Sequence, residues 1–244
     1  MNQSIDDRMN PNPGRAKNKG CESCKTIKFC MNSWLDKNAV DAMERIMKRK
    51  VFSAGRKIYR RGNPSQSFYV VQSGTVKVER ILGDGRHYVH GFYHSGDVFG
   101  IESFCHQSYC NDATALDDTQ ICAIERSQFE LLSATNPQVQ KMISQLISSE
   151  LRLIEKRLID RHLDVEKQLL IFLHDLTKRC CESFSEDRRF SLPMSQYDIA
   201  SYLGVRHESV CRALKKMQRQ GVIQKKSKNI EIINIDNALS PLHL

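Results

Sequence analysis

The pattern of apolar and polar positions changes twice along the chain. Between residues 51 and 126, short alternating segments are separated by glycine-rich turns such as Arg61-Gly62-Asn63-Pro64 and Gly83-Asp84-Gly85. The alternating segments cover residues 67–71, 74–78, 88–92 and 120–124. Short strands with a turn signal about every 8–12 residues predict an antiparallel barrel or jelly roll.

After Asn136-Pro137 the period becomes helical. Apolar residues recur at steps of four, four, three and four positions, at Ile143, Ile147, Leu151, Ile154 and Leu158. Such a stripe indicates either a helix that packs on its own domain or a dimer seam with coiled-coil-like packing. Its place between two domains, before a further apolar helix over about 165–179, favours the seam. The polar residues 180–187 are interpreted as a loop.

Shorter helices are predicted on both sides of these regions. Residues 36–48 have apolar residues at helical spacing. Near the C-terminus, Ser195 is a suitable N-cap for a helix through Tyr202, and Gly204 supplies a tight turn. A second helix over about 206–220 ends before Gly221. Residues 222–225 and 229–234 then predict a small hairpin, which completes a winged helix-turn-helix.

The predicted fold class is therefore α+β. An N-terminal antiparallel β jelly roll is followed by a long dimerisation helix and a C-terminal winged helix-turn-helix domain. We expect five segments: a disordered arm over 1–20, a cysteine segment over 21–31, a β-barrel sensor domain over 32–136, a dimerisation helix over 137–164, and a DNA-binding domain over 165–244.

Positive charge is concentrated on the predicted helix-turn-helix. The chain has a formal net charge of +9. Between residues 206 and 228 there are eight Lys/Arg and one acid, Glu208, a net of +7. A charge run is often only a solvated helix face. Its position here favours a surface that binds the phosphates of DNA.

The second helix of a helix-turn-helix enters the major groove with its N-terminal end. Arg212 can donate two hydrogen bonds to guanine O6 and N7, and Glu208 can accept one from cytosine N4. The two residues are four positions apart and share one helix face. The remaining candidate contacts, of which Ser209 and the lysines suit phosphates, are Arg206, His207, Ser209, Cys211, Lys215 and Lys216.

Cysteine usage indicates metal or redox chemistry. The chain has nine cysteines, an odd number, and Cys21, Cys24 and Cys30 form a C-x2-C-x5-C pattern. No apolar run is long enough for a membrane span or a signal peptide, so we expect a cytoplasmic protein that does not bind membranes. In that compartment cysteines serve metals or redox reactions more often than structural disulfides. The local spacing leaves both zinc and an iron–sulfur cluster open.

The order of barrel, long helix and winged helix resembles the cyclic-AMP receptor protein superfamily. The three clustered cysteines together with Cys122 resemble its fumarate and nitrate reduction regulator (FNR) branch. Further points of resemblance are the stretches Ser73-Gly74-Thr75-Val76-Lys77, Gly96-Asp97-Val98-Phe99-Gly100, Asp198-Ile199-Ala200-Ser201-Tyr202-Leu203-Gly204 and Glu208-Ser209-Val210-Cys211-Arg212-Ala213-Leu214.

The resemblance implies an oxygen-labile [4Fe-4S] cluster. Its ligands would be Cys21, Cys24, Cys30 and Cys122. Cys105 and Cys110 lie in a loop with His106 and compete for the fourth place, but the family position favours Cys122. The resemblance also implies a homodimer on palindromic DNA with TTGAT-like half-sites, base contacts by Glu208 and Arg212, and contact with RNA polymerase.

The chain departs from the family pattern in three respects. Gly100 is followed by Ile101, and Tyr109-Cys110 stand where nucleotide-binding members have Arg-Ser, so we expect no cyclic nucleotide. His207 and Cys211 replace an arginine and a serine of relatives, which affects the outer bases of the half-site. Ile154 stands where oxygen-sensing relatives often have an acid, so dimerisation is expected to depend less on the cluster.

Two alternatives belong to different classes. One is a regulator of the same fold that uses the cysteines as a thiol–disulfide or zinc switch. The other is an enzyme such as an oxidoreductase. The chain has no dinucleotide-binding glycine loop and no nucleophile–base motif. We therefore predict that it is not an enzyme.

Overall fold

The computed structural model describes residues 20–101, 104, 106–184, 192–226 and 229–233. The predicted disordered arm lies outside this range except for Gly20. Cys105 and residues 185–187 of the predicted loop also lie outside it.

Two four-stranded antiparallel sheets form the sensor domain, as the alternating pattern predicts. The first has the order β1-β8-β3-β6 and the second the order β2-β7-β4-β5. Their bounds are β1 Met47–Phe52, β2 Lys57–Tyr59, β3 Ser67–Ser73, β4 Val76–Ile81, β5 His87–Tyr93, β6 Val98–Phe99, β7 Asp112–Ala115 and β8 Thr119–Glu125.

Strand β8 shows how the alternation positions a candidate ligand. Ile121 and Ala123 point between the two sheets into the barrel core. Cys122 points to the opposite face, where it packs beside the fully buried Ile124 against a second apolar cluster. That cluster joins the outer face of the first sheet to the neighbouring helices. Cys122 is therefore not part of the barrel interior.

Three helices cover the outer face of the first sheet. They are α1 Lys37–Ile46, α2 Arg126–Thr135 and α3 Pro137–Asp160. Asp36 caps α1 by accepting a hydrogen bond from Ala39 N at 2.9 Å. The helix was predicted to continue to Lys48; it ends earlier because residues 47 and 48 already pair with β8. Helix α2 was not predicted.

Helix α3 begins with a strong start signal. The Asn136 side chain accepts hydrogen bonds from the backbone N–H groups of Gln138 and Val139, and Pro137 stands in the first turn. The next helix, α4, runs Val165–Phe184. The prediction of a loop from Cys180 was wrong for residues 180–184, because that stretch contains no glycine or proline to end the helix.

The C-terminal domain is the expected winged helix-turn-helix. Its elements are α5 Gln196–Leu203, α6 His207–Arg219, β9 Ile223–Lys226 and β10 Asn229–Ile232. Gly204 has φ +70°, a left-handed conformation that ends α5 and that other residues adopt at a cost. The inward faces of α4, α5 and α6 form one apolar core.

This domain packs directly on the sensor domain. Strand β5 is an edge strand, and its Val89 N–H donates to Ser201 Oγ of α5 at 3.0 Å. Ser201 Oγ in turn donates to His87 O at 2.7 Å. Lys77 of β4 forms an ion pair with Asp198 of α5 at 2.7 Å. Within the described residues, no helix is long and apolar enough to cross a membrane.

Candidate metal centre and nucleic-acid interface

The cysteine segment is a series of tight turns. It starts with the short 3₁₀ helix Cys21–Ser23 and leads into a second one, Met31–Trp34. Between them, Cys24 N donates to Cys21 O at 3.0 Å, and Cys30 N donates to Thr26 O at 3.0 Å. This winding turns the three cysteines of the C-x2-C-x5-C pattern toward one side.

The segment is attached to the sensor domain by polar contacts as well as packing. Thr26 Oγ1 donates to Gln72 O of β3 at 2.8 Å. The Cys21 N–H donates to Glu44 Oε2 of α1 at 2.9 Å. The backbone of Phe29 lies so close to Gly96 that a Cβ there would be 2.6 Å from Phe29 O. Gly96 is thus required for the segment to approach the barrel.

All four predicted ligands line a single cavity. Cys21, Cys24 and Cys30 come from the segment and Cys122 from β8. Cys110 and Cys211 do not line this cavity. The wall is completed by apolar side chains and four polar ones, Thr26, Asn32, Arg49 and Gln72. Arg49 is the cross-strand partner of Cys122.

Burial in this cavity disfavours free thiolates. Burial raises the pKa of the Cys30 thiol to about 11 and that of Cys122 to about 12. Burial also raises the pKa of Cys21, and Arg49 acts in the opposite direction. At neutral pH the thiols of Cys21, Cys30 and Cys122 are therefore protonated unless a cation is bound. Metal binding would displace these protons, because the thiolate is the ligand.

Amide groups point toward two of the sulfurs. Asn32 Nδ2 donates to Cys21 Sγ at 3.7 Å, and Gln72 Nε2 donates to Cys24 Sγ at 3.6 Å. N–H donors to ligand sulfur stabilise its negative charge and tune cluster potentials. The lining of this cavity, as far as the structure describes it, contains cysteine but no histidine or carboxylate.

Two kinds of metal centre would require different spacings of the thiols. Four thiolates on one Zn²⁺ stand about 3.8 Å apart, since each Zn–S bond is about 2.3 Å. Among the described residues, no three His, Cys, Asp or Glu side chains are arranged to hold a single ion. A cluster binds each thiolate through a different iron and needs wider spacing. The four cysteines that line the cavity are a donor set used both by zinc and by iron–sulfur clusters.

The barrel interior is filled by aromatic rings. Tyr109, which stands at the expected Arg-Ser position, stacks on Tyr59 at 3.8 Å. Its hydroxyl donates to Ser67 O at 2.6 Å and lies 3.0 Å from that of Tyr69. These rings pack together in the apolar core between the two sheets. The absence of cyclic-nucleotide binding stays a prediction.

The predicted dimer seam is an exposed apolar stripe on α3. The exposed fractions of Ile147, Leu151, Ile154 and Leu158 are 48%, 61%, 44% and 56%. Ile143 differs, because it is half-buried against the apolar cluster beneath α3. Four of the five predicted residues thus remain available to a partner. A contiguous apolar surface of this kind is typical of an interaction site.

The predicted recognition helix, α6, presents its polar face outward. Val210, Leu214 and Met217 are buried against α5 and α4, as the sequence predicts. Arg206, Glu208 and Arg212 are exposed, and so are Lys215 and Lys216. Lys216 also forms an ion pair with Glu166 of α4 at 2.6 Å.

A small network at the start of α6 was not foreseen. The His207 ring stacks flat on Tyr197 of α5, with centroids 3.7 Å apart. His207 Nε2 is 3.4 Å from Cys211 Sγ, and that thiol donates to Gln196 Oε1 at 3.0 Å. His207 and Cys211 are therefore already held by α5 before DNA binds.

Comparison with known proteins identifies both domains. A cyclic nucleotide-binding domain model matches residues 49–136, and a Crp-like helix-turn-helix domain model matches residues 167–237. The chain is 30% identical over 216 residues to Electron transport regulator A of Shewanella oneidensis, covering 88% of this chain and 86% of that protein. It is 28% identical over 224 residues to the Fumarate and nitrate reduction regulatory protein of Escherichia coli, covering 88% and 87%.

Solved structures agree with these matches. FixK2 of Bradyrhizobium japonicum superposes with a TM-score of 0.70 and 27% identity, covering 80% of this chain and 96% of that one. A putative cyclic nucleotide binding protein of Ruegeria pomeroyi has a TM-score of 0.68 at 20% identity, over 91% of this chain and 99% of that one. The second likeness concerns the fold alone.

Proposed function

Since this chain belongs to the Crp/FNR family of transcription regulators, which are not enzymes, we propose that it is an oxygen-responsive member controlled by a [4Fe-4S] cluster. The proposal includes a homodimer that binds palindromic DNA with TTGAT-like half-sites and contacts RNA polymerase. The observation that carries it is the single cavity lined by Cys21, Cys24, Cys30 and Cys122.

The cluster ligands would connect two parts of the fold. Three of them belong to the segment, and Cys122 belongs to a barrel strand. When bound, the cluster would supply a tie that oxygen or nitric oxide destroys. Without this tie the segment is held only by packing and by hydrogen bonds such as those of Thr26 and Cys21 with Gln72 and Glu44. Losing the ligand bonds therefore favours release of the segment.

The segment also supports the start of the dimerisation helix. Met31 packs in the same apolar cluster as Val139 and Met142 of α3. Asp36 N–H donates to Gln138 Oε1 at 3.0 Å, and Gln138 Nε2 donates back to Asp36 Oδ2 at 2.7 Å. A docked segment thus holds the first turns of α3. We infer that segment docking biases a pre-existing monomer–dimer equilibrium.

A second path leads from the segment to the DNA-binding domain. Phe29 contacts the turn at Gly96, and the next residue, Asp97, forms an ion pair with Arg179 of α4 at 2.8 Å. Asp97 Oδ2 also accepts the His94 N–H at 2.9 Å. Movement of the segment would therefore change the contacts of α4, the helix against which the recognition helix packs.

Binding to a palindromic DNA site needs two copies of α6. In a symmetric dimer, two recognition helices reach successive major grooves about 34 Å apart. Glu208 and Arg212 are proposed to read bases, and Lys215 and Lys216 to bind phosphates. Bound protein would activate transcription through polymerase or block it.

The decisive experiment is anaerobic purification of the wild type with iron and zinc analysis. We expect about four irons per chain and a broad absorbance near about 400 nm that bleaches in air. Cys122→Ser is expected to lose most of the iron. Cys110→Ser is the matched control, because Cys110 lines a different surface cavity and should keep the full content.

Three results would contradict the proposal. A colourless protein with stoichiometric zinc would support the zinc alternative. A metal-free protein with oxidised thiols would support the thiol–disulfide alternative. Retention of iron in Cys122→Ser with loss in Cys105→Ser would replace the fourth ligand.

Asp97→Asn tests the path to the DNA-binding domain. Asparagine keeps an oxygen for the His94 N–H but removes the charge that pairs with Arg179. Since this ion pair is partly exposed, we expect the DNA-affinity ratio of cluster-loaded to cluster-free protein to fall only about 3–10-fold. Iron content should not change. Fluorescence anisotropy with an operator duplex measures both states.

Asp84→Asn is the control for this test. Asp84 forms an ion pair with Arg86 at 2.7 Å in an exposed barrel hairpin. Its replacement should leave the affinity ratio unchanged. An unchanged ratio in Asp97→Asn would show that the signal does not pass through α4 by this contact.

A further inference from the structure

A cavity between the sensor domain and the DNA-binding domain contains buried polar atoms that lack partners. It lies among β5, the C-terminal half of α3, α4 and the end of α5, and its volume is about 100 Å³. It shares no lining residue with the cysteine cavity. A cavity of about 150 Å³ holds benzene, so this smaller one has room for a few waters or for part of a small organic molecule.

Gln168 provides the first such atom. Its side chain is buried, with 6% exposed, and Nε2 donates to Leu163 O at 2.7 Å and to Arg161 O at 3.4 Å. These bonds fix the orientation of the amide. The opposite atom, Oε1, has no hydrogen-bond partner among the described residues. A buried acceptor without a donor costs about 1–3 kcal/mol, so it calls for a guest that donates.

His94 provides the second. Its side chain is also 6% exposed, and Nδ1 lies 3.3 Å from Thr75 Oγ1 in the barrel. The other ring nitrogen, Nε2, has no partner within the described part of the chain. Gln168 and His94 come from different domains, yet both line this cavity. Two independent unsatisfied groups therefore point to one bound molecule.

The charges around the cavity define the guest further. Two of its four cations are matched, because Lys156 pairs with Asp175 at 2.7 Å and Arg179 with Asp97 at 2.8 Å. The remaining charged groups of the lining are Arg157, Arg161 and Asp160, a net of +1. Two histidines, His90 and His94, also line it. A single negative charge would balance this excess.

The rest of the wall is apolar and aromatic. Phe92, Phe172 and Tyr202 form a mutual cluster with centroids 5.3–5.9 Å apart. Arg157 lies over the Tyr202 ring at 5.0 Å and donates to His90 O at 3.0 Å. Arg161 lines the cavity, and its guanidinium lies beside Gly204. The guest should therefore combine an apolar body, one anionic end and one hydrogen-bond donor.

We propose that this cavity binds a small organic monoanion that carries a hydroxyl group. Gln168 donates hydrogen bonds to two carbonyls of the connection between α3 and α4. A guest bound to its Oε1 would therefore influence the connection between the dimerisation helix and the DNA-binding domain. Occupancy would stabilise the packing of this domain on β5. The effect on DNA affinity rests on the proposed function, whereas binding itself does not.

Isothermal titration calorimetry of the full-length wild type tests the site with three probes. The hydroxy acid 3-hydroxybutyrate is compared with butyrate, which lacks the hydroxyl, and with 3-hydroxybutyramide, which lacks the charge. We expect 3-hydroxybutyrate to bind and each comparison compound to bind at least about tenfold more weakly. No binding of the hydroxy acid would mean that the cavity holds only water, and would overturn the proposal.

Variants test whether the probe binds in this cavity. Arg161→Met should weaken binding about tenfold or more, and Leu153→Phe should block it by filling the space. Arg152→Met is the matched control on the same helix, since Arg152 does not line the cavity. Equal binding by all variants would refute the site.

A DNA titration with and without 3-hydroxybutyrate separates the two parts of the proposal. Calorimetry needs neither metal nor DNA, so it succeeds or fails independently of the cysteine centre. A severalfold change in DNA affinity, lost in Leu153→Phe, would support the regulatory part. Binding with unchanged DNA affinity would leave the site standing and overturn its regulatory effect.

Discussion

Replacing Leu151 with glutamate is expected to convert the protein to a monomer that no longer binds palindromic DNA tightly. Leu151 lies in the middle of the exposed apolar stripe of α3, and 61% of its surface is open in the single chain. Burying a leucine contributes about 1.5–3 kcal/mol, and a symmetric dimer loses that contribution twice. Two facing carboxylates add repulsion. The dimer dissociation constant should rise at least about 100-fold.

Analytical ultracentrifugation and operator-binding titrations measure this effect. Leu131→Glu is the matched control, because Leu131 is an equally apolar residue, 67% exposed, on α2 and away from the stripe. Neither substitution should change the free energy of unfolding of the monomer by more than about 0.5 kcal/mol, since both positions are exposed. A Leu151→Glu protein that dimerises like the wild type would show that the seam lies elsewhere.

Analytical ultracentrifugation of the cluster-loaded and the cluster-free wild type tests the effect of Ile154 on dimerisation. Its side chain is apolar and 44% exposed within the stripe. We expect cluster loss to weaken dimerisation only slightly, because no charge opposes the seam at this position. A monomer on cluster loss would contradict that expectation.

Arg212→Met is expected to reduce operator affinity by at least about 30-fold. Arg212 is exposed at the N-terminal half of α6, and its only described hydrogen bond is a long one to Ser209 Oγ at 3.5 Å. A bidentate arginine–guanine contact contributes about 1–3 kcal/mol of discrimination, and the palindrome has two half-sites. Together these give about 2–6 kcal/mol.

A modified operator shows whether this loss is base-specific. Replacing the contacted guanine with 7-deazaguanine removes the N7 acceptor, so wild-type affinity should fall and Arg212→Met affinity should not. Arg219→Met, at the exposed last turn of α6, should weaken all duplexes alike. Equal sensitivity of the wild type and Arg212→Met to 7-deazaguanine would refute the proposed contact.

Much of the architecture could be predicted from local patterns. The helix-turn-helix followed from Ser195, Gly204 and Gly221, because capping and left-handed turns act over a few residues. The four strands with clear alternation were predicted, whereas β1, β2, β6 and β7 were not. These strands are short or highly charged, as in Met47–Phe52, and owe their pairing to neighbours rather than to composition.

The sites were predictable only in part. Cys21, Cys24 and Cys30 are apparent from their spacing, and Cys122 from family resemblance. Nothing local marks Arg49, Asn32 or Gln72 as neighbours of the thiols, or Tyr197 as the support of His207. Ile143 has the period of the seam, but it packs partly beneath α3. Periodicity identifies the apolar face of a helix. It does not show whether a given turn of that face packs on the same chain or stays exposed to a partner.

The sequence by itself determined the fold class, the charge of the recognition helix and the cysteine inventory, because hydrophobic period, caps and side-chain chemistry act over short distances. Only the tertiary structure decided that four cysteines share one cavity and that a second cavity lies between the domains. Both features depend on strand register and domain packing: β8 must turn Cys122 outward toward the segment, and β5 must meet α5 through Val89 and Ser201. Contacts between residues so distant along the chain leave no periodic signal, so they become visible only when the elements are assembled.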